Sequence, residues 1–181
     1  RSTHAEEVPC YDAALALRPR FALALYSRAW ARKSGDADFD AAILAEPGFA
    51  EPYIFRGSNR LVKGDSAGAK ADFDALIAMG VHLAPAYNGR AGVRLKLDKD
   101  WDGVIADATE AIRLDPSNTD PRVLRVAITG LTDPRGAMEE LEGCVRVDPK
   151  NPDAWFLLTR CHLLLGALET ARSVGDKAFA A

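Results

Sequence analysis

The fold of this chain is decided by a stretch that occurs twice, as AIRLDPSN at residues 111–118 and as CVRVDPKN at residues 144–151. The same ending occurs in shorter form as ALALRP at residues 14–19 and as AILAEP at residues 42–47. The final prolines stand at positions 19, 47, 116 and 149, so the steps between them are 28, 69 and 33 residues. A step of 69 residues holds two repeats of about 34 residues. The chain is therefore predicted to be an array of such repeats, one of them shortened.

The apolar residues of each repeat follow the period of an α-helix. In one copy they are Val104, Ile105, Ala108, Ala111 and Ile112. This spacing forms one apolar stripe along a helix, and a second apolar segment precedes it after a turn. The turns contain Gly or Asp, which end one helix and cap the next, at Gly35-Asp36, Gly64-Asp65, Asp98-Lys99-Asp100, Thr132-Asp133-Pro134 and Gly166. No segment alternates with a period of two, so each repeat is predicted to be two helices without β-structure.

The repeats fill one predicted domain over residues 1–181. Its units are a partial one at about 1–19, a shortened one at 20–47, and four more at 48–84, 85–118, 119–151 and 152–181. The shortened unit loses residues mainly from its second helix, which is predicted to have two to three turns. The segment from Glu6 to Leu17 is predicted to be a second helix without its first-helix partner.

These residues resemble the tetratricopeptide repeat family. In the 85–118 unit, Gly92 matches the family's small residue, Trp101 its aromatic residue, and Ala111 and Pro116 its alanine and terminal proline. Two other units match at Gly57, Gly64, Ala69, Phe73 and Leu76, and at Trp155, Leu158, Gly166, Ala171 and Ala178. The resemblance implies an all-α, right-handed superhelix of helix-turn-helix repeats, about four full repeats plus a partial N-terminal one. It also implies that the first helices line a concave wall.

Composition excludes several classes of protein. The 181 residues are 48% hydrophobic and 27% charged, which is typical of a folded globular chain. The net charge of −3 gives no basic excess, so nucleic acid is not an expected partner. No apolar run reaches the roughly 18 residues of a membrane span. The chain begins with Arg1 rather than Met, and no compartment is fixed by its sequence.

The three cysteines, Cys10, Cys144 and Cys161, have neither disulfide nor zinc-site spacing. They are expected to be buried thiols, which favours a reducing compartment such as the cytoplasm. A periplasmic or secreted location stays open.

Catalytic and metal-binding patterns are not found in the sequence. The histidines are His4, His82 and His162, and none belongs to a known catalytic motif. Adjacent Cys161 and His162 would point about 100° apart on a helix, which does not suit activation of a nucleophile. Asp36, Asp38 and Asp40 begin like a calcium loop, but Ala41 stands where that loop needs Gly. The chain is expected to be neither an enzyme nor a protein with a cofactor or metal.

Charge separates the two kinds of helix. The predicted first helices carry twelve basic and three acidic residues, a net charge of +9; they span 21–33, 50–63, 85–97, 119–131 and 152–165. The second-helix segments 36–46, 65–79, 100–115, 133–148 and 167–181 sum to −13. A basic inner face and an acidic outer face are therefore predicted.

Two uses of the first-helix arginines remain open at this point. They form ion pairs with acids of adjacent helices, such as Asp72, Asp74 or Asp107, or they bind an anionic ligand such as an acidic peptide. Aromatic residues and asparagines on the same helices favour a peptide groove. The candidate ligand-binding residues are Tyr26, Trp30, Phe55, Arg56, Asn59, Asn88, Arg90, Arg94 and Arg125.

The predicted function is a protein–protein interaction scaffold that binds a peptide or protein segment in a concave groove, with an acidic partner as the favoured type. Two alternatives remain. The first is a structural module that assembles into homo-oligomers through apolar faces at its ends, because terminal repeats normally need a polar cap. The second is a regulatory fragment of a larger protein.

Overall fold

The computed structural model describes residues 7–32, 36–97 and 99–180. Within these ranges it contains eleven α-helices and no strand. The helices are α1 (Val8–Leu17), α2 (Ala22–Arg32), α3 (Asp36–Ala45), α4 (Glu51–Lys63), α5 (Ser66–Met79), α6 (Leu83–Leu97), α7 (Trp101–Leu114), α8 (Asp120–Thr129), α9 (Pro134–Val147), α10 (Pro152–Leu164) and α11 (Leu168–Ala180). None of these helices is long and apolar enough to cross a bilayer. Gly35 and Asp98 of the predicted turns lie outside the described residues, as do His4 and Lys33.

The chain forms two compact bodies, an N-terminal body (Arg1–Val93) and a C-terminal body (Arg94–Ala181). In the N-terminal body α1 packs on α2, α2 on α3, α3 on α4 and α4 on α5. In the C-terminal body α7, α8, α9, α10 and α11 pack in sequence, each on the next. The predicted all-α arrangement of helix pairs is therefore confirmed.

The shortened repeat has the short second helix that the sequence predicts. Helix α3 has ten residues, which is between two and three turns at 3.6 residues per turn. The segment ending at Leu17 forms a helix, α1, as predicted. Helix α6 begins at Leu83, so the boundary predicted between residues 84 and 85 falls inside its first turn.

An aspartate caps three of the second helices in the same way. The carboxylates of Asp65, Asp100 and Asp133 each accept a hydrogen bond from the backbone N–H three residues later, at 2.9–3.0 Å. The bond satisfies one of the N–H groups that a helix leaves unpaired at its N-terminus. The predicted caps at these turns are therefore confirmed.

The core of the N-terminal body surrounds Phe73 on α5, whose side chain is 2% exposed. Two glycines make room for its ring. A Cβ added at Gly57 would lie 3.1 Å from the ring, and one added at Gly89 would lie 2.4 Å from its Cζ. The aromatic residue thus wedges between α4 and α6 because both helices present a bare backbone there.

The core of the C-terminal body contains Leu141, Leu158, Val174 and the thiols of Cys144 and Cys161. Burial raises the pKa of both thiols, so they are protonated and unreactive at neutral pH. The expectation that all three thiols are buried is wrong for Cys10, which is exposed. Helix α1 buries Leu15 against its neighbours, and Cys10 lies on another side of that helix.

Candidate functional site

Arg56 on α4 lies between the carboxylates of two second helices. Its Nε and Nη2 donate to the two oxygens of Asp72 on α5, at 3.1 and 2.5 Å. Its Nη1 donates to Asp40 on α3, in the preceding repeat, at 2.6 Å. The guanidinium also lies 5.6 Å from the ring centroid of Tyr53. One arginine therefore ties its own repeat to the one before it.

Arg28 makes the same two kinds of ion pair one repeat earlier, one within its own repeat and one to α1. It pairs with both oxygens of Asp38 on α3, at 2.8 and 2.5 Å, and with Asp12 on α1 at 2.7 Å. Asp12 precedes Arg28 by sixteen residues, and Asp40 precedes Arg56 by sixteen residues as well. The geometry thus repeats even though the second helix between them is shortened.

Two further arginines extend this pattern. Arg90 donates to Asp74, sixteen residues earlier, at 2.9 Å, and lies 5.4 Å from the ring centroid of Tyr87. Arg125 donates to Glu140 at 2.6 Å and to Thr109, again sixteen residues earlier, at 3.4 Å. We call Arg28, Arg56, Arg90 and Arg125 with these partners the arginine ladder.

A second row of arginines follows four residues after the ladder. Arg60 donates to Asp72 at 2.9 Å and to the carbonyl of Gly68. Arg94 lies 3.0 Å from Asp107 and donates to the carbonyl of Gly103. Each row of arginines is thus directed toward the second helices.

The electrostatics keep these groups ionised. Hydrogen bonding to Asp38 raises the pKa of Arg28. Burial acts to lower the pKa of Arg56, but hydrogen bonds to its two aspartates outweigh this effect and raise it. Burial acts to raise the pKa of Asp74, and hydrogen bonds from Lys70 and Arg90 lower it overall. Of the two uses that the sequence leaves open for the arginines, these contacts support ion pairing.

The predicted aromatic residues divide into packed and exposed ones. Tyr26 and Phe55 belong to a cluster with Phe39 and Phe49, with ring centroids 5.3–6.2 Å apart. Trp30 is 43% exposed. Inter-repeat packing therefore accounts for Phe55, whereas Trp30 presents apolar surface to solvent.

The two predicted asparagines differ in their surroundings. Asn59 donates to Asp36 at 3.1 Å, and Asp36 also pairs with Lys63. The Oδ1 of Asn88 is buried and has no hydrogen-bond partner in the described part of the chain. Asn59 is thus part of an ion-pair network, whereas the side-chain carbonyl oxygen of Asn88 accepts no hydrogen bond from the described residues.

The sides of α2 and α4 opposite the ladder carry apolar residues, of which sequence analysis singled out only Trp30. At 3.6 residues per turn, Leu23, Trp30 and Val62 lie roughly 200–240° around the helix from Arg28 or Arg56. Leu23 is 54% exposed and Val62 is 87% exposed. We call these three residues the first-helix face. The spacing from the arginines is the signal that would also have identified Leu23 and Val62.

The acids that begin like a calcium loop have separate partners. Asp36 pairs with Lys63, Asp38 with Arg28, and Asp40 with Arg56. Within the residues that the structure describes, no group of three His, Cys, Asp or Glu side chains is placed to hold a metal ion.

Comparisons with known proteins agree with this architecture. Residues 130–178 match the sequence profile of the tetratricopeptide repeat family. No curated protein sequence is significantly similar to the chain.

Solved structures with a similar fold cover nearly the whole chain. YrrB, a TPR protein with an unusual peptide-binding site, matches with a TM-score of 0.69 and 19% identity over 94% of this chain and 91% of its own. A tetratricopeptide repeat protein from Parabacteroides merdae ATCC 43184 matches with a TM-score of 0.70 and 18% identity, over 98% and 72%. Yeast Tom70 matches with a TM-score of 0.69 and 19% identity, over 98% and 39%. The repeat fold predicted from the sequence is shared with these proteins.

Proposed function

We propose that the chain is a tetratricopeptide-type protein-interaction scaffold that binds a peptide segment on the first-helix face of its N-terminal body. The repeat fold supports a scaffold role in general. The groove and the type of partner are the specific parts of the proposal.

The main observation behind this proposal is that α2 and α4 expose apolar side chains to solvent, although other residues of the same helices are buried in the core. Val62 and Leu23 are more than half exposed, whereas Ala24, Leu25 and Gly57 on the same two helices are buried. A contiguous exposed apolar surface marks interaction sites in folded proteins, and our proposal takes Leu23, Trp30 and Val62 to form such a surface. YrrB, whose fold is similar, is described as having a peptide-binding site, which supports a peptide as the ligand.

An acidic partner, the type favoured from the sequence, has weaker support. Arg56, Arg90 and Arg94 each lie within hydrogen-bond distance of an aspartate on a second helix. An acidic peptide would have to compete with these carboxylates for donors. An apolar peptide needs no such exchange, so we favour it.

Self-association is the second candidate function, because the last repeat exposes its own apolar patch. Phe156, Leu163, Leu164 and Leu168 on α10 and α11 are each more than half exposed. We infer that a second copy of the chain covers this exposed apolar surface. Sedimentation at increasing concentration tests this candidate: a species that stays monomeric throughout would exclude it.

Selection of random short peptides on the intact chain tests the groove. Val62→Asp should abolish binding of the selected peptides, since a charge replaces apolar contact area. Leu44→Asp is the matched control, because Leu44 is 82% exposed but lies on α3, a second helix. Peptides that bind both variants as well as the wild type would show that the first-helix face is not the site.

A further inference from the structure

A small pocket lies between α1 and α2. It has a volume of about 240 Å³ and is lined by Glu7, Tyr11, Tyr26, Ser27, Trp30 and Ala31. Sites for whole small molecules usually measure roughly 300–1,000 Å³. This pocket is therefore of a size for one side chain of a partner rather than for a free metabolite.

Three aromatic residues from two helices form its walls. Tyr11 comes from α1, and Tyr26 and Trp30 stand four residues apart on α2, which places them on one side of that helix. The ring of Tyr26 is fixed by an edge contact with Phe49 at 5.3 Å and by Phe55 at 5.8 Å. At least one wall is thus held rigidly before any ligand binds.

The charge around these rings is negative. Glu7 accepts a hydrogen bond from the Tyr11 hydroxyl at 2.7 Å, which places its carboxylate at the pocket. Burial first, and then the negative charge of nearby Glu51, raise the pKa of Tyr26. Arg28 on the same helix is directed away, toward Asp12 and Asp38.

Aromatic rings combined with a carboxylate suit a positively charged organic group. The face of an aromatic ring is negative, and Trp is the strongest partner for a cation, followed by Tyr. An anion would meet both the ring faces and Glu7, and would be repelled. A metal ion would need more oxygen ligands than the pocket supplies.

We propose that this pocket binds an alkylammonium group, the side-chain end of a lysine or methylated lysine in the partner peptide. The proposal rests on the peptide-binding function proposed above and adds the chemistry of one anchor. Trp30 belongs both to the pocket and to the first-helix face, so the anchored residue continues directly into the apolar part of the same peptide. Apolar residues next to a lysine are therefore the expected pattern.

Titration of the isotope-labelled intact chain, followed by NMR, tests the pocket without a known partner. The probes are choline, its neutral carbon analogue 3,3-dimethylbutanol, and the amides of acetyl-lysine and acetyl-trimethyllysine. Choline should shift the Trp30 indole signal saturably and bind about fivefold or more tightly than the alcohol, which has the same shape without the charge. Equal binding of choline and the alcohol would overturn the proposal, as would failure of choline to saturate. The two lysine amides then decide which form is preferred.

Three variants locate the binding. Trp30→Leu keeps apolar volume without the ring and should weaken choline binding about fivefold or more, and Glu7→Gln should weaken it by a smaller factor. Trp101→Ala is the matched control, because Trp101 is 45% exposed but lies in the C-terminal body. Equal loss in Trp30→Leu and Trp101→Ala would contradict the assignment.

The two proposals fail in different ways. If choline does not bind but selected peptides still depend on Val62, the groove stands and the cation anchor is wrong. If choline binds and no peptide depends on Val62, the pocket stands and the groove is wrong.

Discussion

The repeat formed by α4 and α5 and the last repeat, formed by α10 and α11, fill the same pair of positions with opposite chemistry. In the former, Arg56 and Asp72 stand sixteen residues apart and form an ion pair, with side chains 13% and 2% exposed. In the latter, Leu158 and Val174 stand sixteen residues apart and belong to an apolar core. Asp72 is the seventh residue of α5, and Val174 is the seventh residue of α11. One backbone arrangement thus accepts either pair.

The difference shows what the ion pair adds. A buried ion pair loses much of its Coulomb energy to desolvation, and apolar residues of similar volume often stabilise as well or better. The arginine, however, has a third donor that reaches Asp40 in the preceding repeat. A leucine has no such group. The main effect of the arginine ladder is therefore to join neighbouring repeats and to fix their register. Its effect on the stability of a single repeat is smaller.

Removal of the shared acid should have the largest effect. Asp72 accepts hydrogen bonds from both Arg56 and Arg60, so Asp72→Ala leaves two cations without their buried partner. We expect a loss of about 3–5 kcal/mol in the free energy of unfolding, measured with urea. Asp40→Ala, which removes a half-exposed partner of the same arginine, should cost less than about 1 kcal/mol.

The double variant Arg56→Leu/Asp72→Val copies the last repeat into the earlier one. It should be more stable than Asp72→Ala alone, because no buried cation remains at position 56 and the volume is refilled. If the double variant is less stable than the single one, the two repeats do not share one interchangeable packing arrangement.

The size of the wedge residue should give the next largest effect. One residue after the acid, the earlier repeat has Phe73 and the C-terminal body has Leu141 after Glu140. Gly57 follows the ladder residue Arg56 and faces the larger side chain, Phe73. Val126 follows the ladder residue Arg125 and shares a core with the smaller side chain, Leu141. Large and small side chains are thus exchanged between facing positions, as close packing requires.

Gly89→Ala should therefore destabilise the chain by about 1–3 kcal/mol, because its Cβ would overlap the buried ring of Phe73. Gly92→Ala in the same helix is the control. Its Cβ would meet only Leu61 at 3.6 Å, so it should stabilise the chain by up to about 1 kcal/mol through helix propensity. Thermal unfolding of both variants measures the difference, and a similar loss in both would show that the glycine at 89 is not needed for the wedge.

The helix caps should behave alike in the two bodies. Asp65→Ala and Asp133→Ala each remove a carboxylate that accepts from the N–H three residues later. We expect each to cost about 1 kcal/mol in urea unfolding. A cap that costs nothing in one body would mean that the second helices there start for another reason.

Much of the fold follows from the sequence because helix ends have local chemical signals. The predicted first helix at 50–63 begins and ends within one residue of α4, since Pro47 precedes it and Gly64 ends it with a positive φ. The separation of charge between first and second helices was also visible. It arises because the ladder arginines pair with acids on second helices: three of them pair with an acid sixteen residues earlier, and Arg125 pairs with Glu140 fifteen residues later.

The candidate site was harder to predict, because a net charge per helix does not say which side of the helix carries it. Arg56 and Val62 lie on one helix, yet the first meets Asp72 and the second is exposed. Val62 resembles a core residue in sequence, so it was not singled out. Trp30 was singled out, because aromatic residues are common anchors for binding partners and the sequence pattern does not have to show whether the ring is packed.

The smallest expected effect is a loss of folding stability at low pH. It is expected for the arginine ladder and not for the apolar pair of the last repeat. The pKa of Asp74 lies below its ordinary value of 3.8, so the unfolded chain binds a proton at this residue more readily than the folded chain does. The resulting stabilisation is complete well above pH 3.8 and is lost as the pH falls through the lower, folded-state pKa. Since Asp74 is 39% exposed, the contribution should be less than about 1 kcal/mol.

Urea unfolding of the wild type and of Asp74→Asn, at neutral pH and near pH 3, measures this effect. The variant has no carboxylate to protonate, so it should lose less stability on acidification than the wild type. Leu158→Met is the control, because it alters the apolar pair and adds no titratable group; its stability should change while its pH dependence matches the wild type. An equal pH dependence in all three proteins would mean that the ion pairs of Asp74 with Lys70 and Arg90 contribute nothing to folding.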